Sequence, residues 1–374
     1  MKLQLLGGLT ADIFLRDYWQ KKPLLVRNAV PGFTGLLERD QLIELACHED
    51  AQARLITCRN QTWEVAYGPF VPRDFKRLPK HWTILLQGLN HFLPQAQRLL
   101  LQFNFVPYTR LDDLMVSYAP PGGGVGPHFD SYDVFLLQGM GRRRWQVGAQ
   151  RDMELVEDAP IRVLRRFQPE QEWVLEPGDM LYLPPRYAHD GVALDECMTY
   201  SIGFRAPSAQ ELVTQFLVYL QDRVELAGMY ADPGLRRQSH PAQIGDDMVE
   251  QVEEMLGKVR WGKREVQDFL GHYLSEPKPH IFFDPPRKPL TPARFAVQLE
   301  RRGVHLSLKT QMLFRGRSVY INGESCNVGT RSIQLLMQLA DGRVLPPGTG
   351  LDAEAQALLY QWYCAGYIGL GGLS

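Results

Sequence analysis

Between residues 132 and 205 the chain alternates short apolar runs with glycine and proline. Residues 132–138, 173–175 and 180–183 are mostly apolar, 143–147 and 200–205 read as further strands, and Gly139-Met140-Gly141, Glu176-Pro177-Gly178 and Pro184-Pro185 lie among them. Short apolar runs bounded by turn formers predict buried strands, so this stretch predicts a sheet rolled into a barrel. Ahead of it, 14–19 and 81–92 read as helices. After residue 206 the pattern changes. Ser208-Ala209-Gln210-Glu211 has the form of a capping box, and Leu212, Phe216, Leu217, Tyr219 and Leu220 follow at helical spacing. Helical patterns continue over 248–259 and 263–274, beyond a loop carrying Asp232-Pro233-Gly234 and His240-Pro241. Pro277, Pro279, Pro285, Pro286 and Pro289 mark a linker. Then 293–301, 332–340 and 353–365 predict helices, and 304–308, 312–314 and 318–321 short strands, the last entering an Asn322-Gly323 turn. The fold class is therefore α+β in three regions: 1–206 with the barrel, 207–275 helical, and, after the linker 276–292, a compact mixed region over 293–374.

The candidate chemistry sits at the start of the barrel stretch. His128-Phe129-Asp130 is followed by His189, sixty-one positions after the first histidine. Two imidazoles and one carboxylate can cover one face of a ferrous ion and leave its other positions open. On a strand, alternate side chains share a face, so His128 and Asp130 are expected to point the same way, with His189 reaching them from a neighbouring strand. The tripeptide alone is a weak signal, since a lone histidine is more often a core or surface residue. Its flanks strengthen it: Pro120-Pro121-Gly122-Gly123-Gly124-Val125-Gly126-Pro127 is a run that no strand interior tolerates and that lets backbone approach a ligand. Around His189, a glycine, five residues, a proline and a histidine five positions on resemble the second cupin motif, with Arg186 where a glycine is usual.

Further segments agree in order and spacing: Tyr18-Trp19-Gln20-Lys21-Lys22-Pro23-Leu24, Asp112-Asp113-Leu114-Met115-Val116-Ser117, Asp133-Val134-Phe135, Gly141-Arg142-Arg143-Arg144-Trp145 and Ser201-Ile202-Gly203-Phe204-Arg205. With the His128 motif they resemble the JmjC-type cupin oxygenases, specifically the ribosomal oxygenase subgroup. The resemblance implies a double-stranded β-helix barrel, a helical dimerisation region over 207–275 and a winged-helix domain over 293–374. It implies a 2-oxoglutarate- and Fe(II)-dependent dioxygenase acting on a ribosomal protein. Bacterial members hydroxylate carbon three of an arginine in large-subunit protein sixteen; relatives that hydroxylate histidine are the nearest competitor. By position, His128, Asp130 and His189 would hold the iron and Arg143 the distal carboxylate of 2-oxoglutarate. Ser117 matches a residue facing the cosubstrate, and Ser201 is placed only by its position on the last strand.

The residues bear on those roles independently. Three protein ligands leave room for a bidentate 2-oxoacid and dioxygen, and a guanidinium offers a fork to a carboxylate. If Arg143 faces inward, Arg142 and Arg144 face out; a solvated basic turn is the plain alternative for all three. Arg143 also separates this reading from a metal cupin that uses no 2-oxoacid. An intact triad weighs against a non-catalytic barrel acting in regulation. Tyr118, Tyr132, Asp133 and Asp190 lie near the motifs as candidates for a substrate pocket, none of them assigned.

Composition limits the remaining classes. The 374 residues are 45% hydrophobic, enough for a sizeable core, and 41 basic against 42 acidic residues give a net charge of -1. No global field draws nucleic acid or membrane, and the winged-helix region is not notably basic, so no direct nucleic-acid binding is expected. Cys47, Cys58, Cys197, Cys326 and Cys364 are scattered, which argues against a zinc site or disulfide framework and for a reducing cytoplasm. No run approaches the roughly eighteen apolar residues of a membrane span, and the amino terminus lacks the apolar run of a signal peptide.

Overall fold

The structure, a computed structural model, describes residues 1–60 and 62–372. Eleven strands build the amino-terminal part: β1 Leu24–Val26, β2 Ala53–Arg59, β3 Thr62–Tyr67, β4 His81–Leu86, β5 Leu111–Ala119, β6 Val134–Gln138, β7 Arg143–Gly148, β8 Gln171–Leu175, β9 Met180–Leu183, β10 Ala188–Ala193 and β11 Cys197–Phe204. They pair antiparallel in an eight-stranded sheet, order β1-β9-β6-β11-β5-β4-β2-β3, and a three-stranded sheet, order β10-β7-β8. Helices α1 Ala11–Asp17, α2 Arg39–Ala46 and α3 Pro94–Leu100 accompany them.

Side-chain alternation decides what each strand serves. On β6, Phe135 and Leu137 join a cluster with Phe14 of α1, while Val134 and Leu136 pack on the other face with Trp145 and Val147 of β7. On β9, Met180 and Tyr182 take the first side and Leu181 and Leu183 the second. The first side is an aromatic core: Phe14 lies 4.9 Å from Tyr182 and 5.4 Å from Phe135, ring centre to ring centre. The second is the space between the two sheets. It holds the cavity described below.

The chain continues through α4 Ala209–Gln221, α5 Asp246–Leu256, α6 Lys263–Ser275, α7 Pro292–Arg302, β12 Val304–Leu306, β13 Met312–Arg315, β14 Ser318–Ile321, β15 Glu324–Asn327, α8 Thr330–Gly342, β16 Val344–Leu345, α9 Ala353–Cys364 and β17 Ile368–Leu370. Two compact units result. One comprises 1–206, 277–310 and 330–374; the other comprises 207–276 and 311–329. In the first, α7, α8 and α9 accompany a small sheet ordered β16-β12-β17. In the second, α4, α5 and α6 accompany the meander β13-β14-β15. Ser208 caps α4, its hydroxyl accepting from Glu211 N at 3.0 Å. No helix among the described residues is long and apolar enough to cross a membrane.

The structure corrects three sequence expectations. Residues 81–92 are not a helix: β4 occupies 81–86 and pairs with β2 and β5. Its Trp82-Thr83-Ile84-Leu85-Leu86 run lies in the middle of the sheet, where a continuous apolar run has no periodicity to separate strand from buried helix. The strand β15 after the Asn322-Gly323 turn was not expected, its Glu-Ser-Cys-Asn sequence being polar and mostly exposed. Finally, His128 and Asp130 do not share a regular strand. His128 forms an isolated bridge to His189, and the glycine-rich approach keeps the segment out of the ladder.

Candidate metal centre and cosubstrate cavity

The bridge between His128 and His189 is reciprocal. His128 N donates to His189 O at 2.9 Å and His189 N to His128 O at 2.8 Å. Backbone pairing thus brings together two histidines sixty-one positions apart. Asp130 is anchored next door, its carbonyl accepting from Arg186 N at 2.8 Å. Arg186 adopts φ +66° to make that bond, so the turn at the unusual position keeps the left-handed backbone that a glycine would adopt freely.

The tautomers are set by geometry. His128 Nδ1 lies 2.9 Å from Gly126 O, and His189 Nδ1 lies 2.9 Å from Tyr187 O. A carbonyl only accepts, so both Nδ1 atoms carry the proton and both Nε2 atoms present a lone pair, the arrangement that orients a metal-binding imidazole. Burial, with the nearby His128, pushes His189 down to about 4. It is therefore neutral at physiological pH. His189 Nε2 stands 3.8 Å from Asp130 Oδ2, and one donor from each of the three residues lies within 4.8 Å of the others. One ion with bonds of about 2 Å reaches all three after small shifts. Among the described residues this is the sole cluster of that kind.

The three donors open on a cavity of about 500 Å³ whose wall also includes Arg143, Ser117 and Ser201. Arg143 is 3% exposed, its Nε 3.5 Å from Cys197 Sγ and its Nη2 buried with no partner. A guanidinium held this way is costly unless an anion completes its bonds. Ser117, on β5, donates to Thr199 O at 3.4 Å; Ser201, on β11, lies across from Met115. Alternation holds for the arginine run: Arg142 is exposed and pairs with Asp195 at 2.7 Å, while Arg144 is half-buried.

The cavity is polar at both ends. Along β5, Asp113 and Ser117 stand on one face four residues apart, about 13 Å. Asp113 is buried, accepts from Gln87 Nε2 at 3.0 Å and Gly88 N at 2.8 Å, and is raised above the usual carboxylate range by burial and by Asp112. Asp112 pairs with Lys278 at 3.0 Å. Tyr132 lies on the same wall, its hydroxyl raised by burial and by Asp130.

In the sequence Asp112 and Asp113 stand only within a motif and carry no assigned role. Two acids inside a strand, where such residues are depleted, were the available signal. Of the four candidates near the motifs, Tyr132 alone lines the cavity. Asp133 is wholly buried beneath Tyr182 and Gln20, with bonds of 2.6 and 2.9 Å. Tyr118 donates to Glu196 at 2.8 Å. Asp190 follows His189 on β10, on the alternate face.

Known proteins supply the comparison. Residues 98–212 match a family model described as a JmjC domain, and residues 258–369 one described as a ROXA-like winged helix. The chain is 35% identical over 316 residues to the ribosomal protein uL16 3-hydroxylase of Escherichia coli, covering 83% of this chain and 84% of that protein. It is 42% identical over 256 residues to a probable ribosomal oxygenase of Haemophilus influenzae, covering 67% of this chain and 60% of that protein. The solved structure of YcfD, a ribosomal oxygenase from Escherichia coli in complex with cobalt and 2-oxoglutarate, superposes with a TM-score of 0.82 at 32% identity, covering 97% of this chain and 99% of that one.

Proposed function

We propose, from the premise that this chain belongs to the JmjC-type ribosomal oxygenase family, that it hydroxylates carbon three of an arginine side chain in large-subunit ribosomal protein uL16. It is a 2-oxoglutarate-dependent oxygenase that uses Fe(II). The observation that carries the reading is Arg143: a buried guanidinium with an unpartnered Nη2, in the same cavity as His128, Asp130 and His189. A cupin without a dicarboxylate cosubstrate has no use for that group.

In this reading His128 Nε2, Asp130 and His189 Nε2 hold the iron, and their carbonyl-bonded Nδ1 atoms fix the ring orientations. Arg143 takes the distal carboxylate and so fixes the direction of the cosubstrate. Ser117 and Ser201 line the path between the sheets. When bound, iron supplies the activation of dioxygen: one oxygen atom enters the substrate C–H bond and the other enters succinate as 2-oxoglutarate loses carbon dioxide. At the far end, Asp113, Asp112 and Tyr132 offer acceptors and an aromatic ring to a guanidinium. That acidic end favours arginine over histidine as the target. A uL16 fragment, Fe(II) and 2-oxoglutarate should yield succinate together with a single oxygen addition on an arginine, read by mass spectrometry. Succinate without modified arginine, or modification on histidine, would overturn the assignment.

The reading extends to assembly. Val213, Leu217 and Val218 of α4 and Met248, Val249, Val252 and Leu256 of α5 are exposed apolar residues. Such a stripe supports pairing with a second copy of the chain, and sedimentation of a Leu217→Glu, Val252→Glu variant should give a monomer. We assign the winged helix a structural, substrate-framing role. A ribosomal substrate supports a cytoplasmic site of action.

A further inference from the structure

Trp145 stands between the two ends of the cosubstrate site. In the ladder of β10 and β7, Arg143 is opposite Ala193, Trp145 opposite Gly191 and Val147 opposite His189. The indole thus lies midway, in register, between the guanidinium and the metal-binding imidazole. The distances agree: the ring centre is 5.7 Å from the Arg143 guanidinium and 5.9 Å from the His189 ring. Arg143 and Trp145 also share the inward face of β7, two residues apart.

The ring is held in one orientation. Its benzo edge rests on Gly191, where a Cβ would fall 2.6 Å from Cη2 and Cζ3. The edge bearing Nε1 is turned away from that strand. Trp145 is 4% exposed and lines the cavity, yet its Nε1 is a buried donor without a partner. An indole N–H left unmade costs more than an apolar ring would at the same place.

We propose that the Trp145 indole N–H donates a hydrogen bond to the distal carboxylate of 2-oxoglutarate, beside Arg143. This rests on the reading of the cavity as a 2-oxoglutarate site. A carboxylate offers about four acceptor positions, and a guanidinium fork fills two. The oxygens at the other end of the cosubstrate are committed to the metal. Trp145 is therefore a second, neutral hand on the same carboxylate, and it resists the swing about Arg143 that a single-residue grip permits.

The test compares Trp145→Phe, which keeps a ring and removes the N–H, with the unaltered protein. Both are loaded with Co(II) and titrated calorimetrically with 2-oxoglutarate and with oxalate, which has a metal-binding end and no distal carboxylate. We expect 2-oxoglutarate affinity to fall about tenfold or more, in line with loss of a charge-assisted bond, and oxalate affinity to hold. A purely packing role would move both or neither, and either result overturns the proposal. A second measurement needs no variant. In protein carrying ¹⁵N-tryptophan and Zn(II), the Trp145 indole proton should shift downfield on adding 2-oxoglutarate and not on adding oxalate; a resonance that stays in place overturns it. Should the unaltered Co(II) protein fail to bind 2-oxoglutarate, the function proposed above falls and this inference with it. Should it bind while the variant binds equally well, this inference alone falls.

Discussion

Replacing Arg143 with methionine should do two opposite things. In the empty protein it removes a buried cation whose Nη2 has no partner, so stability should hold or rise, by about 1–3 kcal/mol if the full unsatisfied cost is relieved. In the loaded protein it removes two arms of a charge-assisted fork. Each such bond contributes about 1.5–3 kcal/mol, so 2-oxoglutarate affinity should fall by about 3–6 kcal/mol, or roughly 100- to 20,000-fold at about 1.4 kcal/mol per tenfold.

A thermal-shift assay on the Co(II) protein reads both effects. At 2-oxoglutarate about 100 times its dissociation constant, the unaltered protein gains about 2.7 kcal/mol. The same concentration should give the variant at most about 0.4 kcal/mol. At about 2 °C per kcal/mol for a unit of this size, the contrast is roughly 5 °C against less than 1 °C. Arg143→Lys should fall between, keeping charge and losing the fork. If the methionine variant keeps its full 2-oxoglutarate shift, another residue holds the carboxylate. If the empty variant unfolds far below the unaltered protein, the guanidinium is a structural anchor rather than a waiting ligand.

Three further outcomes are expected. Asp130→Ala should abolish turnover and weaken Co(II) binding by at least about 100-fold, measured by calorimetry; full activity would remove the carboxylate from the ligand set. Asp113→Asn should raise the KM for an arginine-bearing uL16 fragment by about 10- to 100-fold and leave 2-oxoglutarate affinity unchanged, whereas an unchanged KM would take the acidic end out of substrate recognition. His91 is pushed down to about 4, chiefly by burial and next by Lys278, so it is neutral in the fold and protonates near 6.5 once unfolded. The unfolded chain then binds more protons between those values, and stability, whole above about pH 6.5, is lost as pH falls toward 4. At pH 5 the loss is about 2 kcal/mol, visible as a lower urea midpoint that His91→Phe should largely restore; an equal fall in that variant would place the acid sensitivity elsewhere.

The strands that flank the cavity were legible because punctuation surrounds them. Gly139-Met140-Gly141 before β7 and Pro184-Pro185 after β9 bound apolar runs short enough to be strands. Residues 81–92 lacked that help. From Thr83 to Leu86 every residue of β4 is buried, so the run shows no exposed positions to mark the period that distinguishes strand from helix. At the site, the triad residues can be picked out because their types are rare together, but strand geometry alone does not explain how they meet. Alternation along one strand does not orient His128 and Asp130. The His128–His189 bridge and the Arg186 bond to Asp130 O do so. Long-range backbone pairing of this kind leaves no local trace in composition. Asp113 and Trp145 carry no assigned role in the sequence for a related cause: an acid inside a strand is unusual and an indole is not, but neither shows what it serves until its neighbours across the ladder are known.

Those neighbours also impose a direction on the cavity. Arg143 reaches Cys197 at the start of β11, whereas Asp113 stands beside Gly203 near its end, a Cβ at Gly203 falling 3.7 Å from Asp113 Oδ1. Six residues of strand separate those levels, about 20 Å. A dianionic cosubstrate is drawn to the cationic end and a cationic side chain to the acidic one, so each reactant is repelled from the other's place. Reversing the charge at one end only, Asp113→Lys for instance, should therefore harm more than arginine binding: it would add a cation to a wall that already carries Arg54 and Arg162, and 2-oxoglutarate would be drawn away from Arg143. Inhibition by excess 2-oxoglutarate, absent from the unaltered enzyme, is the expected signature in steady-state kinetics. A variant that merely loses substrate affinity, with no such inhibition, would show that the two ends act independently.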